Sequence, residues 1–235
     1  MALAYTRVLL KISGEFFGSH DAPVDMNKID DLARIVIEMG TMGAQIGMMV
    51  GGGNIFRKRS IEKGMIDEYR ADYMGIIGTI INAMALSARI QALGKESIVQ
   101  SALPIQGVVD QIDADKAQEA LACGCVVVFG GGTGKPMVTT DTGAVMRAID
   151  IGAEIIIKAT KVLGVFDRDP ISDPSAVMYQ ELSMQEAIDK QLGVLDQEAM
   201  RLAQERGIAV LVLQCSQDNI IKALQGEKIG TLVRV

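Results

Sequence analysis

Two strand-like runs in this sequence end in glycine-containing turns, and these turns hold the residue types best suited to chemistry. Lys11-Ile-Ser-Gly14 follows the apolar run Val8–Leu10, and Gly51-Gly-Gly-Asn54 follows Met48–Val50. Turns without bulky side chains let backbone N–H groups approach phosphate oxygens, and a helix N-terminus can add its dipole. A lysine on such a turn supplies the positive charge that phosphoryl transfer needs. The two turns together predict a site that holds more than one phosphate group.

Two further loops follow buried strand-like runs. Gly130–Thr140 is rich in glycine and hydroxyl side chains, and Lys158–Pro170 carries lysines and the acidic pair Asp167 and Asp169. Taken alone, the first loop is better explained by a tight strand-to-helix connection. The acidic pair is equally well explained by a turn cap and by a contact with a ribose or a metal. The loops that follow parallel strands converge at one edge of the sheet, where ligands bind. This convergence favours a ligand-binding role for the glycine-rich loops.

Two common nucleotide-binding motifs do not fit the sequence. Gly130–Lys135 is similar to the end of a P-loop, but Phe129 stands where the first glycine belongs. Pro136 replaces the Ser or Thr whose hydroxyl would hold Mg²⁺. The dinucleotide motif G-x-G-x-x-G fails as well, because Phe56 stands where the third glycine would be. The sequence therefore argues against a P-loop enzyme and against a dinucleotide-dependent dehydrogenase.

Composition argues against several classes of site and partner. The 235 residues carry a formal net charge of −6 and no basic block, which argues against a nucleic-acid partner. One histidine and three cysteines without a CxxC pair predict neither a histidine-based metal site nor a disulfide framework. Residues 1–7 lack the layout of a signal peptide, and the apolar stretch 73–86 is interrupted by glycine, threonine and asparagine. We therefore expect a cytoplasmic protein without a membrane partner.

Strand-like and helix-like segments alternate along nearly the whole chain. The predicted strands are Arg7–Ile12, Ala44–Val50, Glu96–Ser101, Cys125–Phe129, Glu154–Lys158, Ile208–Leu213 and Thr231–Val235. The predicted helices are Asn27–Met42, Asp67–Leu93, Ala114–Cys123, Asp141–Ile151, Ser183–Gln191, Asp196–Arg206 and Gln217–Gln225. Because the strands are continuously apolar, we expect them to be covered on both faces, as in a parallel sheet. The predicted fold class is α/β: a three-layer αβα sandwich around a mainly parallel sheet, formed by residues 1–235 as one domain.

Five segments that occur in order along the chain together resemble one known family. They are Lys11–Gly14, Gly51–Arg57, Asp72–Gly75, Thr133–Asp141 and Lys158–Asp169. The set is similar to the amino-acid kinase superfamily over essentially the whole chain, and within it to the bacterial uridylate (UMP) kinases. The glycine motifs are shared across the superfamily, whereas the Asp72 helix and the stretch 133–140 point to UMP.

The resemblance implies the reaction ATP + UMP → ADP + UDP in pyrimidine nucleotide biosynthesis, with Mg²⁺ bound to ATP and no direct protein ligand of the metal assigned. The catalytic residues that it implies are Lys11, Asp141 and Asp196. The ATP side would comprise Lys11, Ile12, Ser13, Gly14, Gly53, Arg57, Thr160, Phe166 and Asp169. The UMP side would comprise Gly52, Asp72, Thr133, Gly134, Lys135, Pro136, Met137, Val138, Thr139 and Thr140.

The chain departs from the family pattern at two places. The family commonly has Asn-Pro and two aromatic residues where this chain has Lys135-Pro-Met-Val138. Residues 19–24 and 87–98 show no clear match to the features associated with GTP activation in some bacterial members. We therefore expect weak or absent activation by GTP, and retained inhibition by UTP at the acceptor site.

Two alternatives for the function stay open at this point: a superfamily relative that phosphorylates a carboxylate or carbamate, and a nucleotide-binding protein of this fold without turnover.

The assembly of the protein has two alternatives as well. The segment Asp72–Leu93 has 14 hydrophobic residues out of 22, spread around the helix instead of confined to one stripe, so a single sheet face cannot cover it. Either a second copy covers it, which the resemblance extends to a hexamer of three dimers, or the segment 61–69 does.

Overall fold

The computed structural model describes residues 3–58, 64–170 and 172–235, and one sheet runs through this part of the chain. Its strands are β1 (Arg7–Ile12), β2 (Gln45–Val50), β3 (Ser97–Ser101), β4 (Asp110–Gln111), β5 (Val126–Gly130), β6 (Ile155–Thr160), β7 (Glu181–Ser183), β8 (Ala209–Gln214) and β9 (Thr231–Arg234). They lie in the order β4-β3-β5-β2-β1-β6-β8-β9-β7. Neighbouring strands are parallel except for the antiparallel pair β8 and β9. The prediction of a mainly parallel sheet is confirmed.

Helices cover both faces of the sheet. They are α1 (Met26–Thr41), α2 (Glu68–Ala92), α3 (Ala114–Ala122), α4 (Thr140–Ile151), α5 (Met184–Asp189), α6 (Gln197–Glu205) and α7 (Gln217–Leu224), and a short 3₁₀ turn spans Gly14–Phe16. Helices α1, α2 and α7 pack on one face, and α3 to α6 pack on the other. The three-layer sandwich is therefore confirmed.

The central strand β1 shows why the sequences of the strands are continuously apolar. Val8, Leu10 and Ile12 point into the core beneath α1, α2 and α7, and Leu9 points into the core on the opposite face. Successive side chains of a strand alternate between faces, so a strand covered on both sides needs an apolar residue at nearly every position.

Capping residues define where the helices begin and end. The N-caps predicted from the sequence are Asp25, Asp113 and Thr140. Asp25 and Asp113 do cap the N-termini of α1 and α3. The prediction that Thr140 caps α4 is wrong: Thr139 has the extended backbone of a cap, and its hydroxyl accepts from the backbone N–H of Asp141 at 3.0 Å. At the other end of α4, Gly152 adopts the left-handed conformation (φ 63°) that closes a helix.

The 25-residue helix α2 is long and apolar enough to cross a membrane by length and composition alone. Half of its most apolar window is buried inside the fold, and a core helix of a soluble protein passes the same test. The helix is therefore weak evidence for a membrane span.

Three sequence-based predictions reach residues outside the described ranges. Two are the absence of a signal peptide at 1–7 and the alternative cover for α2 at 61–69. The third concerns residues 167–183, whose two Asp-Pro steps predict an ordered surface loop with a small hairpin. In the described part of the loop, Phe166 and Met178 form an antiparallel bridge, as a hairpin requires.

Candidate active site

Two lysines from neighbouring strands meet one carboxylate at the carboxyl-terminal edge of the sheet. Lys11 of β1 pairs in register with Lys158 of β6, so both side chains lie on the same face. Asp141 lies in the first turn of α4 on that face, with Oδ1 2.6 Å from Lys11 Nζ and Oδ2 3.0 Å from Lys158 Nζ. Lys158 also donates to the backbone carbonyl of Val194 at 2.7 Å. The prediction that a loop begins at Lys158 is wrong, because β6 continues to Thr160 alongside β8.

The charges in this cluster perturb one another. Burial alone would raise the pKa of Asp141, but Lys11 and Lys158 outweigh it and hold that pKa below its ordinary value. Burial lowers the pKa of Lys158, and the neighbouring Asp141 opposes that shift only in part. With both lysines protonated, the cluster carries one net positive charge, which suits it to bind a phosphate group.

Two helix N-termini are tied together beside the cluster. The Thr139 hydroxyl that caps α4 donates to the carboxylate of Asp196. Asp196 in turn caps α6, because its other oxygen accepts from Ala199 N at 2.9 Å. Asp196 thus joins the starts of α4 and α6 and adds negative charge near Lys158.

The glycines of the first two loops are needed for close approach of the backbone. A Cβ on Gly14 would lie 2.6 Å from Gly53 N, and a Cβ on Gly52 would lie 2.5 Å from Gly75 O in α2. A larger residue at either position would therefore push the two loops apart or lift α2 from the second loop.

Polar residues of α2 hold in place the glycine loops that follow β2 and β5. Asn82, fully buried, donates to Gly51 O at 2.7 Å and exchanges amide hydrogen bonds with Asn54. Thr79 accepts from Gly131 N at 2.7 Å, which fixes the loop that follows β5. The helix therefore positions two loops that are far apart in the sequence.

A cavity of about 470 Å³ opens between α2, the second glycine loop and the start of α4. Of the residues predicted for the UMP side, its lining contains Gly52, Asp72, Met137, Val138, Thr139 and Thr140. Thr133, Gly134, Lys135 and Pro136 are not part of that lining. They form a turn next to the cavity, in which Gly134 N donates to Gly131 O and a Cβ on Gly134 would lie 3.0 Å from Ala102 O.

Asp72 is already engaged at the mouth of the cavity. One carboxylate oxygen accepts from Met137 N at 3.0 Å, and Lys58 Nζ lies 3.3 Å away. Partial desolvation lowers the pKa of Lys58, but Asp72 and Glu68 outweigh it, so the pKa lies above its ordinary value. Met137 has the unusual backbone angle φ 66° for a non-glycine residue, which turns its N–H toward Asp72.

A second group of charges lies across the first glycine loop. Arg57 donates through Nε to Gly53 O at 2.6 Å and through Nη2 to the carboxylate of Glu15. Lys161, which follows β6, lies 2.7 Å from the other oxygen of Glu15. The predicted ATP-side residues Lys11, Ile12, Ser13, Gly14, Gly53 and Arg57 are thus gathered around the ends of β1 and β2.

Farther along the same edge is a groove of about 390 Å³ lined by residues 162, 164–170 and 190–193. Phe166 and Asp169 belong to this lining, as the predicted adenosine side requires. Thr160 does not: its hydroxyl donates to Val162 O at 2.9 Å and stabilises the turn that leads into the groove.

Comparison with known proteins identifies the family. A model of the amino acid kinase family matches residues 6–214, well over half of the chain. The chain belongs to the amino acid kinase family.

Relatives within this family carry more specific names. The uridylate kinase of Legionella pneumophila (strain Paris) is 40% identical over 233 residues, covering 98% of this chain and 94% of that protein. The uridylate kinase of Mycolicibacterium vanbaalenii is 41% identical over 231 residues, covering 98% and 92%. The crystal structure of UMP kinase from Bacillus anthracis superposes with a TM-score of 0.92 at 33% identity, covering 98% of this chain and 96% of that one.

The structure of this family member adds residues that sequence reasoning did not assign to the site. The cavity lining also contains Phe56, Lys58, Gly75, Ile76, Thr79 and Gly132. A signal exists for one of them: Thr79, like Asn82, is a polar residue within the apolar stretch 73–86, and a polar residue there indicates a specific buried hydrogen bond as well as an interruption of a membrane span. Lys58 and Phe56 gave no such signal, because their role depends on how the second loop folds back against α2.

In the part of the chain that the structure describes, the side chains that could ligate a metal do not form a metal-binding site. No three His, Cys, Asp or Glu side chains converge there to hold an ion. Asp141 and Asp196, the carboxylates closest to the lysine pair, are already bonded to lysines and to helix N-termini.

Proposed function

We propose that this protein transfers the γ-phosphoryl group of ATP to UMP and releases ADP and UDP, as a step of pyrimidine nucleotide biosynthesis. The observation that carries the proposal is the Lys11–Asp141–Lys158 cluster beside the cavity that contains Asp72 and Thr140. Relatives named uridylate kinase and a structural neighbour named UMP kinase support the choice of acceptor.

The transfer needs no proton relay. A phosphate oxygen of UMP is already an anionic nucleophile; it forms a bond to the γ-phosphorus as the bond to the β–γ bridging oxygen of ATP breaks. Lys11 and Lys158 would offset the charge on the transferring group, and Asp141 would keep both ammonium groups in place. Positioning and charge neutralisation then account for catalysis.

The acceptor and donor halves divide the predicted residues. Asp72 would accept a hydrogen bond from a ribose hydroxyl of UMP, with residues 137–140 along the cavity wall and 133–136 in the adjacent turn. The first two glycine loops and Arg57 would bind ATP phosphates, and Phe166 offers the adenine a flat apolar face. Mg²⁺ would arrive with ATP and neutralise part of the phosphate charge.

Regulation, assembly and location form the less direct part of the proposal. We propose that UTP inhibits by occupying the acceptor cavity as a product-like ligand, and that GTP activates weakly or not at all. The whole chain would act as one domain in a cytoplasmic homohexamer built from three dimers. Titration of UTP and GTP into the assay at fixed Mg²⁺ tests the regulatory part; a several-fold rise in rate with GTP would contradict it.

A coupled assay of ADP release tests the reaction itself. We expect turnover with UMP that clearly exceeds turnover with acetylglutamate or carbamate, and the same assay with CMP measures the preference between the two pyrimidine nucleotides. Turnover with a carboxylate or carbamate alone would favour the other branch of the superfamily. ATP binding without turnover on any acceptor would instead indicate a nucleotide-binding protein.

A further inference from the structure

Glu15 connects three loops on the donor side of the site but takes no part in the transfer described above. It lies in the 3₁₀ turn after β1, Arg57 lies in the loop after β2, and Lys161 lies in the loop after β6. One carboxylate oxygen accepts from Arg57 Nη2, and the other lies 2.7 Å from Lys161 Nζ. A single side chain therefore ties together three loops, and the loop that carries Lys161 is more than a hundred residues from the other two along the chain.

A carboxylate at this edge is unexpected, since it would repel the phosphates of ATP by itself. Within the part of the chain that the structure describes, Arg57 and Lys161 offset that effect, because they place two positive charges beside this one carboxylate. Hydrogen bonds from Lys161 and Arg57 hold the pKa of Glu15 at about 2, so the carboxylate stays ionised in neutral solution. The two cations, not the carboxylate, set the sign of the charge at this edge.

Both cations keep donors for a further ligand. Within the described residues, Gly53 O and Glu15 occupy two of the five N–H donors of the Arg57 guanidinium. Glu15 engages one of the three donors of the Lys161 ammonium, whose side chain is 68% exposed. Long, exposed side chains lose much conformational freedom when they bind a ligand, unless they are already ordered.

We propose that Glu15 is a positioning residue that orders Arg57 and Lys161 for the phosphates of ATP, and that Lys161 is itself a phosphate ligand. This inference rests on the proposed function for the identity of the donor nucleotide. It assigns Glu15 no contact with the reacting atoms.

The test is calorimetric binding of Mg·ATP to Glu15→Gln, which preserves the shape of the side chain and removes its charge. We expect the affinity for Mg·ATP to be about tenfold weaker than in the wild type. Without the charge of Glu15, the Arg57 and Lys161 side chains are no longer held in place to make charge-assisted bonds to the phosphates. The KM for UMP should stay unchanged, whereas a general defect in the structure of the site would raise the KM for UMP as well.

Asp30→Asn is a matched control. Asp30 also lies between two cations, 2.8 Å from Arg34 Nε and 2.6 Å from Arg89 Nη2, and its side-chain exposure (26%) is close to that of Glu15 (27%). Both variants should lose stability, but only Glu15→Gln should lose affinity for ATP.

Two outcomes would overturn the inference. One concerns Glu15→Gln: unchanged ATP binding would show that Glu15 does not order its partners, and tighter binding would make it a competitor for Arg57. The other is unchanged ATP binding by Lys161→Met, a variant that should fold because the side chain is largely exposed. Transfer to UMP by the wild type is measured separately, so a protein that binds ATP without phosphorylating UMP refutes the proposed function and leaves the Glu15 result interpretable.

Discussion

In the proposed reaction, the chemistry depends on three side chains from two strands and one helix: Lys11, Lys158 and Asp141. Each has a distinct physical state: Lys11 is nearly buried, Lys158 has a lowered pKa because of burial, and Asp141 is held ionised by both lysines. Removing any one of them changes the charge that the transferring phosphoryl group meets.

Lys11→Ala should lower kcat by at least about two orders of magnitude. Loss of one electrostatic stabiliser of a developing charge costs roughly 3 kcal/mol of transition-state stabilisation. Steady-state rates at saturating ATP and UMP provide the measurement, with circular dichroism to verify folding. Lys116→Ala, which removes an exposed lysine of α3 paired with Asp113, is the control and should keep the wild-type rate. A folded Lys11→Ala with wild-type kcat would remove Lys11 from the mechanism.

Lys158 should set an alkaline limit to activity. Its pKa lies below the ordinary 10.5, and rising pH removes a charge that the phosphoryl group needs, so kcat/KM should fall at a pH below that value. The titratable groups that face it are Lys11, Asp141 and Asp196. In Lys158→Arg the guanidinium stays protonated, so the alkaline fall should move to higher pH. An identical fall in the variant would assign the titration to another group.

Asp72→Asn should raise the KM for UMP about tenfold and leave the KM for ATP nearly unchanged. A hydrogen bond to a charged acceptor contributes roughly 1.5–3 kcal/mol, and an amide retains only part of it. Glu68→Gln is the matched control, because Glu68 also pairs with Lys58, at 3.4 Å, but does not line the cavity. A change in the ATP parameter instead would refute the division of the site into two halves.

At the scale of elements, α2 connects parts of the site that the sequence leaves separate. Its N-terminal half supplies Asp72, and its buried polar residues hold the loops after β2 and β5. The opposite side of the helix presents an apolar stripe to solvent: Tyr69, Tyr73, Ile77, Ile81 and Met84 are between 38% and 62% exposed. One helix therefore faces both the acceptor cavity and the surroundings of the molecule.

Thr79→Val tests whether α2 positions the loop after β5. Valine has a similar shape but cannot accept the hydrogen bond from Gly131 N, and a buried unsatisfied N–H costs about 1–3 kcal/mol of unfolding free energy. Urea unfolding should show that loss, and the KM for UMP should rise because Gly132 lines the cavity.

Thr142→Val provides the matched comparison. The buried hydroxyl of Thr142 has no hydrogen-bond partner within the described part of the chain, so its removal should be neutral or stabilising. Equal effects of the two substitutions would show that the Thr79 hydrogen bond does not hold the loop.

Elements were predictable from the sequence to a greater extent than contacts. Every predicted strand and helix is present with ends within two residues, because continuous apolar runs and caps are local signals. The edge strands β4 and β7 were missed, since two or three residues are too short for a pattern. The contacts of Lys58, Thr79 and Glu15 could not be predicted, because each partner lies in another loop whose path only the tertiary fold determines.

At the scale of the whole molecule, the exposed stripe on α2 is the strongest indication of assembly. The segment 61–69 was the alternative cover, but residues 61–63 lie outside the described ranges, and Met65 and Ile66 are themselves 71% and 37% exposed. A row of exposed large apolar side chains is unusual on a monomer. We infer that a second copy of the helix covers the stripe across a two-fold axis.

Light scattering tests this inference. We expect a species near 150 kDa, about six times the 25.1 kDa chain, and a smaller species for Ile77→Glu combined with Ile81→Glu, because a charge in a dry interface is costly. Val177→Glu is the control, since Val177 is also apolar and 65% exposed but lies outside α2. An active wild type that is monodisperse at 25 kDa would refute the assembly.

The pairing of β1 with β6 has a consequence for how the protein is made. Lys11 and Lys158 become neighbours only when these strands, separated by most of the chain, have joined in the correct register. A shift by one residue would turn one of the lysines to the opposite face. A nascent chain on the ribosome therefore cannot form the Lys11–Asp141–Lys158 cluster until at least two-thirds of it has been synthesised. Catalytic activity then reports directly on the completion and accuracy of folding.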